Sequence, residues 1–440
     1  MSYRLPLPFR MVIVIVMMAG LIALWRITTA PPTAAVADRV GITEALSADT
    51  VGYARVDGPR PFTFPLDHGP HPEYKTEWWY LTGHLRTSSG RRFGYQFTLF
   101  RTAIRPPAPA GTAADGNPQR MAEPAETVPT RQRSTPATAT PSTPAPSTTT
   151  PSTITPSGWR TDQIYMGHFA IVDEQTQVFR HEERFGRGAA GVAGAQAEPF
   201  RVWLDDWSLS AIPADQSLAP AHASPFGPAM ALRAIGDPAA LTLTLTPTRE
   251  MLLQGDQGYS RKGYASGQAS YYYSYTRLAS EGTLVVGADT FTVEGFSWLD
   301  REWSSSLLSD GQTGWDWFSM RLGDGSDLVF FRLRERNEAD VPYTYGRLRH
   351  PDGRLQDLTE YTLTPTAFWR PPDVPEAAYP IAWNLVLPEA SMDLTITALA
   401  PEQELHTTVR YWEGAVDVIG SHRGEGYVEL TGYVDEFTRR

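Results

Sequence analysis

Polar and apolar positions alternate along most of this chain. From Glu77 onward, Trp78, Tyr80, Thr82 and His84 fall on one side of an extended segment, and Trp79, Leu81, Gly83 and Leu85 fall on the other, because successive strand side chains point to opposite faces. Aromatic residues occupy both faces. A strand with one wet face does not need that, so the pattern predicts a strand dividing an outer packing layer from an inner lining, as in a barrel wall or sandwich. Phe93, Tyr95, Phe97 and Leu99 likewise share a face, and residues 241–246 alternate Leu and Thr without exception. Turn signals recur at short intervals: GDGSD (323–327) joins WDWFSMRL to LVFFRLR, and HPDG (350–353) joins YGRLR to RLQDL, as in hairpins. Outside the N-terminal segment no long run has helical periodicity. The expectation is an all-β, antiparallel sandwich or barrel, and a chain of 440 residues is long enough for more than one core.

Two segments break the alternation. In residues 1–37, Arg4 and Arg10 precede an uncharged apolar run from Met11 to Trp25, and Ala35-Val36-Ala37 offers small residues for cleavage. The run is at the upper end of a signal-peptide core and short for a spanning helix. It reads as an export signal, cleaved or retained as a membrane anchor, which places the protein in the periplasm or outside the cell. The second break covers 105–158, where every residue from Ser134 to Ser157 except Ile154 is Ser, Thr, Pro or Ala. Such a segment has no core to bury and is expected to be disordered. It lies between the strands RRFGYQFTLFRTAI and DQIYMGHFAIVD, so it reads as an insertion at a hairpin tip within one domain, where closure entropy grows slowly with length; a linker between domains is the alternative.

Composition narrows the partners. A net charge of -11, with no basic patch, excludes nucleic acid and an anionic bilayer surface as main partners. The absence of cysteine removes lipid attachment and disulfides, so buried cores must carry the stability. A faint echo, Trp79-Tyr80-Leu81-Thr82-Gly83 against Val428-Glu429-Leu430-Thr431-Gly432, suggests two similar halves.

Along the chain stand FPLDHGPHPEYKTEWWYLTGHL, YMGHFAIVD, SYYYSYTRL, VEGFSWLDREWSS, GWDWFSMRLGDGSDL, and YWEGAVDV with GYVELTGYV. In this order they resemble the carotenoid 1,2-hydratase and AttH-type lipocalin-like family, whose members are often called predicted secreted hydrolases. The resemblance covers nearly all of the exported portion except the insertion. It implies two lipocalin-like antiparallel β-barrel domains, 51–305 carrying the insertion and 306–440. It also implies a lipophilic ligand, lipid or isoprenoid, and for the hydratase branch a cofactor-free addition of water to a terminal isoprenoid double bond. That branch is expected to show Tyr two residues before the acid of WLD, with His and Trp upstream; here those places hold Trp298 and the tyrosines of SYYYSY. The expected function is therefore an extracytoplasmic protein that binds a lipophilic small molecule, with a hydratase or hydrolase as the alternative and a membrane transporter as a further partner.

Candidate chemistry centres on Ser297–Trp303. As a strand it puts Trp298, Asp300 and Glu302 on one face. A carboxyl among aromatics holds its proton near neutrality because burial disfavours the anion, and π faces stabilise a developing cation. Asp300 is the expected general acid, and Glu302 would raise its pKa or orient a water; the competing reading is a structural ion pair of Asp300 with Arg301, Arg321 or another base at a barrel end. Ligand contacts are expected from Trp78, Tyr80, His168, Tyr271, Tyr273, Trp298, Trp315 and Trp317, with a satisfied core histidine as the plainer role for His168. Asp316 alternates with Trp315 and Trp317 and faces away from them.

Asp67, His68, His71 and Glu77 carry metal-ligand donors, but the histidines sit on a Gly/Pro loop without the spacing of a metal motif. They read as loop-structuring, with no metal and no cofactor expected. A Gly-x-Ser-x-Gly elbow, a phosphate loop and a dinucleotide fingerprint are all missing.

Overall fold

The computed structural model describes residues 50–107, 161–213, 223–306, 308, 311–337 and 342–434. The expected export segment (1–37), and the 105–158 insertion beyond its first three residues, lie outside them.

Two antiparallel sheets contain nearly all of the described chain, one of 13 strands and one of 10. In the first, the strand Thr76–Arg86 is flanked by Arg92–Ala103 and then Gln163–Asp173 and Val178–Arg187. On its other edge it pairs with the last strand, Asp289–Ser306. From there the order continues through Ala269–Val286, Ala239–Pro247, Met230–Ile235, Trp207–Ala211 and Phe200–Leu204 to Ala193–Ala197. First and last strands pair, so the ring opens only between the consecutive strands Val178–Arg187 and Ala193–Ala197. The second sheet repeats this plan: Gln312–Leu322 pairs with the last strand, Gly424–Thr431, and the open edges are Leu355–Asp357 and Thr362–Trp369. Both are near-closed, lipocalin-like barrels, in which curling removes most of the unpaired edge.

The echo between residues 79–83 and 428–432 does not mark equivalent positions. One copy lies on the first strand of its barrel and the other on the last of its own. The two halves are alike in topology, and the short identity is not the trace of that likeness.

Neither barrel interior is an open ligand chamber. In the first, Trp79, Leu81, Phe97, Leu99, Phe169, Trp207 and Leu243 form one buried cluster, with Trp207 set against the rings of Phe97 and Phe169 at 5.9 Å. In the second, Phe318, Phe330, Trp383, Leu394, Trp412 and Val428 do the same. Full burial of each such side chain stabilises the fold by roughly 1.5–3 kcal/mol, so a ligand-sized hole inside would be expensive.

The opposite strand faces meet each other. The outer face of Thr76–Arg86 and its neighbours packs on the second barrel through Tyr80, Val172, Trp298, Trp317, Val329, Phe331, Ala415 and Tyr427. A Cβ on Gly94 would collide with Ala415 across this junction, so two small residues let the walls approach. His84 Nε2 lies 2.8 Å from the Gly426 carbonyl oxygen, and Arg92 pairs with Asp417. Aromatic residues on both faces of the Thr76–Arg86 strand thus have two addresses, one inside a barrel and one between barrels.

Candidate functional site

Where the barrels diverge, the junction leaves a cavity of about 170 Å³, well above the roughly 10–15 Å³ that one water needs. The first barrel supplies Trp78 and Tyr80, Phe100, Met166 and His168, Tyr272, and Asp300 with Glu302; the second supplies Trp315 and Trp317, Phe331 and Leu333, Tyr411 and Glu429. Strand pairing sets these neighbours side by side. Tyr80 is opposite Asp300 and Trp78 opposite Glu302, while Ser274 and Tyr272 stand opposite the same two acids on the other flank.

Asp300 is 3% exposed and has no cationic partner among the described residues. Its Oδ1 accepts hydrogen bonds from Ser274 Oγ at 2.5 Å and Trp298 Nε1 at 2.6 Å, and its Oδ2 accepts one from Tyr272 Oη at 2.7 Å. Burial pushes its pKa up; the three donors pull it down, nearby Glu302 adds to the rise, and the balance lies at about 7. A carboxyl there can give or take a proton at neutral pH. The sequence alternative of an ion pair with Arg301 or Arg321 is overturned. Arg301 is committed to Glu77, and Arg321 lies 3.8 Å from Glu425.

Glu302, two residues on, faces the same cavity as an ion pair with Lys262, whose Nζ is 2.8 Å away. Lys262 also sits over the rings of Tyr272 at 4.8 Å and Phe331 at 4.3 Å. On the opposite wall, Glu429 stands directly across from Glu413 on paired strands. Burial pushes Glu429 up to about 8, against a hydrogen bond from Trp315 and with the help of Asp300 and Glu302. Glu413 is fully buried and shifts far upward for the same first reason, with Glu429 beside it as the second. The cavity wall therefore carries two carboxyls with raised pKa, Asp300 and Glu429, among aromatic rings, with one compensated ion pair.

His168, 0% exposed, uses both ring nitrogens: Nδ1 lies 2.6 Å from Tyr411 Oη and Nε2 lies 2.9 Å from Glu183 Oε1. It is both a bonded buried histidine and a cavity-lining group.

The structure divides the expected ligand contacts. Trp78, Tyr80, His168, Trp315 and Trp317 line the cavity with Asp300 and Glu302. Trp298 lies just behind, donating to Asp300, its ring edge-on to Trp317 at 6.4 Å. Tyr271 and Tyr273 are a correction: they point into the first barrel's core, and the intervening Tyr272 faces the cavity. Alternation separates Tyr272 from its neighbours, but only the pairing with Asp289–Ser306 reveals which face meets the second barrel. Asp316 faces away from the cavity, bonded by Arg332 and Tyr433.

Lys262, Tyr411, Glu413 and Glu429 were missed by the sequence reading. YWEGAVDV and GYVELTGYV contain the last three, but nothing local marks a carboxylate that tertiary contact will bury.

The opening segment closes one end of the first barrel. Glu77 is fully buried between Arg101 and Arg301, and both its oxygens accept from the His71 amide at 3.1 Å. Burial opposes its charge, yet the two guanidiniums hold its carboxyl well below the usual range. Asp67 is bonded by Arg60 Nη2 at 2.6 Å and His71 Nε2 at 2.9 Å. His71 stacks on Trp303 at 3.8 Å, and His68 Nδ1 meets Tyr273 Oη at 2.6 Å. These four residues are thus engaged with arginines, a tyrosine and one another, in a group separate from the cavity.

The family model described as AttH-like matches residues 55–135 and 142–433. Among solved structures, that of an AttH protein (NE1406) from Nitrosomonas europaea is similar at 31% identity, covering 86% of this chain and 99% of that one with a TM-score of 0.66. Kievitone hydratase from Nectria haematococca shares the fold at 12% identity and a TM-score of 0.55, over 87% of this chain and 96% of that one. No curated protein sequence matches the chain.

Proposed function

The chain belongs to the AttH-like family, and we propose that it binds a largely apolar small molecule, of lipid or isoprenoid class, between its barrels and transfers a proton to it from Asp300. The observation that carries this reading is a buried aspartate without a cation, facing an aromatic cavity and held near neutrality by opposing effects. A passive carrier has no use for such a group. An acid that adds water to an unactivated double bond requires one, because the first step makes a carbocation.

The chemistry follows from the wall. Asp300 gives its carboxyl proton to one alkene carbon, and the π electrons form the new C–H bond. The electron-poor carbon left behind faces indole and phenol rings, each of which stabilises positive charge by ~0.5–2 kcal/mol when desolvated. A water oriented by Glu302 and Lys262 attacks that carbon through its oxygen and gives up one proton, and the return of one proton to the Asp300 carboxylate restores the acid, so the product is the alkene plus one water with no net proton consumed or released. Run backward, the same groups dehydrate a tertiary alcohol. The kievitone hydratase fold is compatible with such chemistry, and the export signal read in residues 1–37 would place it outside the cytoplasm.

The test is incubation of the purified full-length protein with lipid extract in ¹⁸O-labelled water, followed by mass spectrometry. Wild type should yield a product heavier than its precursor by one labelled water, and Asp300→Asn should bind the precursor without converting it. Enrichment of the same lipid by both proteins with no labelled product would leave a carrier and refute the acid role.

A further inference from the structure

His168 does more than line the cavity, because its two hydrogen bonds run in series between solvent and a buried acid. Glu183 is the outer end, with a side chain 17% exposed. It accepts from the Thr408 amide and from Thr408 Oγ1 at 2.9 Å. Burial opposes its charge, but the bond from His168 keeps it ionised by holding it below the ordinary range. In the neutral imidazole an ionised Glu183 fixes the tautomer: Nε2 carries the hydrogen that Glu183 accepts, which leaves Nδ1 as an acceptor. The 2.6 Å contact at Nδ1 is then a hydrogen bond donated by the Tyr411 hydroxyl.

The file continues inward. With its proton committed to His168, the Tyr411 oxygen is left as an acceptor. Two residues along the same strand, and so on the same face, is Glu413, whose pKa burial and Glu429 push far above the ordinary carboxyl range, against the opposing influence of the Tyr80 and Tyr411 hydroxyls beside it. Across the strand pair lies Glu429, which faces the cavity. The titratable groups facing this pair are Tyr80, Tyr411, Tyr427, Asp300 and Glu302. None of them is a cation, and the Lys262 charge belongs to Glu302.

We propose that Glu429, Glu413, Tyr411 and His168 form a proton path that connects the cavity with solvent at Glu183. The path rests on the proton-transfer reading of the cavity and adds what that reading lacks, a destination for the proton released by the attacking water. Each member passes on one proton as it receives another. Glu429 takes the water's proton and gives its own to Glu413, Glu413 gives to the Tyr411 oxygen, Tyr411 gives to His168 Nδ1, and His168 gives its Nε2 hydrogen to Glu183. One positive charge moves to the surface, and the return of one proton inward along the same groups to the Asp300 carboxylate completes the cycle, so each turnover is proton-neutral and no oxidant or cofactor enters. For dehydration the direction reverses. Tyr411 and His168 are positioning residues in this scheme, since they touch the reacting atoms only through the glutamates.

The experiment needs no substrate. Buried carboxylic acids have a C=O stretch distinct from carboxylates, and it shifts when the acid hydrogen is replaced by deuterium. Infrared spectra of the full chain at pH 7 should show acid bands that disappear individually in Glu413→Gln and Glu429→Gln. Rapid mixing into D₂O then reads the exchange rate of the Glu413 band. Tyr411→Phe keeps the ring and removes only the relay oxygen, and it should slow that exchange by roughly 100-fold, the low end of what a positioned proton-transfer group contributes. Glu183→Gln, at the partly exposed end, should slow it as well. Exchange at the wild-type rate in both variants, or absence of the Glu413 acid band at neutral pH, overturns the path. Exchange slowed by Glu429→Gln alone also overturns it, because protons would then enter through the cavity. All of these outcomes are independent of whether Asp300 turns over a substrate.

Discussion

Replacing Asp300 with Asn should make the protein more stable, by an amount that depends on pH. Asn has nearly the same shape and can place its carbonyl oxygen where Oδ1 accepts from Ser274 and Trp298. It cannot ionise. In the wild type, the folded-state pKa is raised from 3.8 to about 7, so below pH 3.8 both folded and unfolded chains hold the proton and the group contributes no difference. Between those values the unfolded chain releases the proton while the folded chain keeps it, so the folded state binds more protons and stability falls as pH rises. The decline is about 1.4 kcal/mol per pH unit, and over about three units it amounts to ~4 kcal/mol, constant above pH 7. Carboxyls away from the cavity are present in both proteins and cancel in the difference, while Glu429, which Asp300 helps to raise, adds a smaller change near its value of about 8. The assay is urea unfolding of both proteins from pH 4 to pH 8. The stability of Asp300→Asn minus that of wild type should climb through this window and level off near pH 7. A difference flat in pH would show that Asp300 ionises normally in the fold, which removes the basis for a general acid at this position.

Three further substitutions separate the cavity from its supports. Glu77→Gln leaves Arg101 and Arg301 buried without a counter-charge and should cost about 3–5 kcal/mol at pH 7 by urea unfolding. Because the Glu77 pKa is depressed, its contribution is present above the ordinary value of 4.5 and is lost as pH falls below it, so the deficit should shrink in acid. Tyr272→Phe removes a donor from the Asp300 carboxylate, and a bond to a charged group is worth ~1.5–3 kcal/mol, so Asp300 should titrate about one unit higher in a carboxyl infrared titration. Tyr271→Phe, whose hydroxyl bonds the Gly58 carbonyl at 3.0 Å on the other face, should leave that titration unchanged.

Much of this molecule is legible in its alternation. Period-two patterning assigned Trp79 and Leu81 to one face and Trp78 and Tyr80 to the other, grouped Trp298 with Asp300 and Glu302, and placed Asp316 apart from Trp315 and Trp317; the described side chains follow those divisions. These inferences succeed because strand geometry is local and each residue's face depends only on its neighbours in the chain. The motifs also carried the family, through residues spread across both barrels. What alternation leaves undecided is which face meets which surroundings. Tyr271 and Tyr273 were expected at the ligand because they face the barrel interior, and they do face it, but the interior is filled by Trp303, Phe62 and their own rings.

The cavity exists only because two barrels, each closed by pairing its first strand with its last, press their outer faces together. His168 and Asp300 of the first barrel meet Tyr411 and Glu429 of the second only through that contact. The protonation of Asp300, Glu413 and Glu429 depends on the same contact, since a carboxyl keeps its proton according to how much water and charge surround it in three dimensions. Strand type and side-chain face were settled by the sequence through local backbone geometry. The site and its acidity were decided by the tertiary structure, because desolvation is a property of the assembled surfaces.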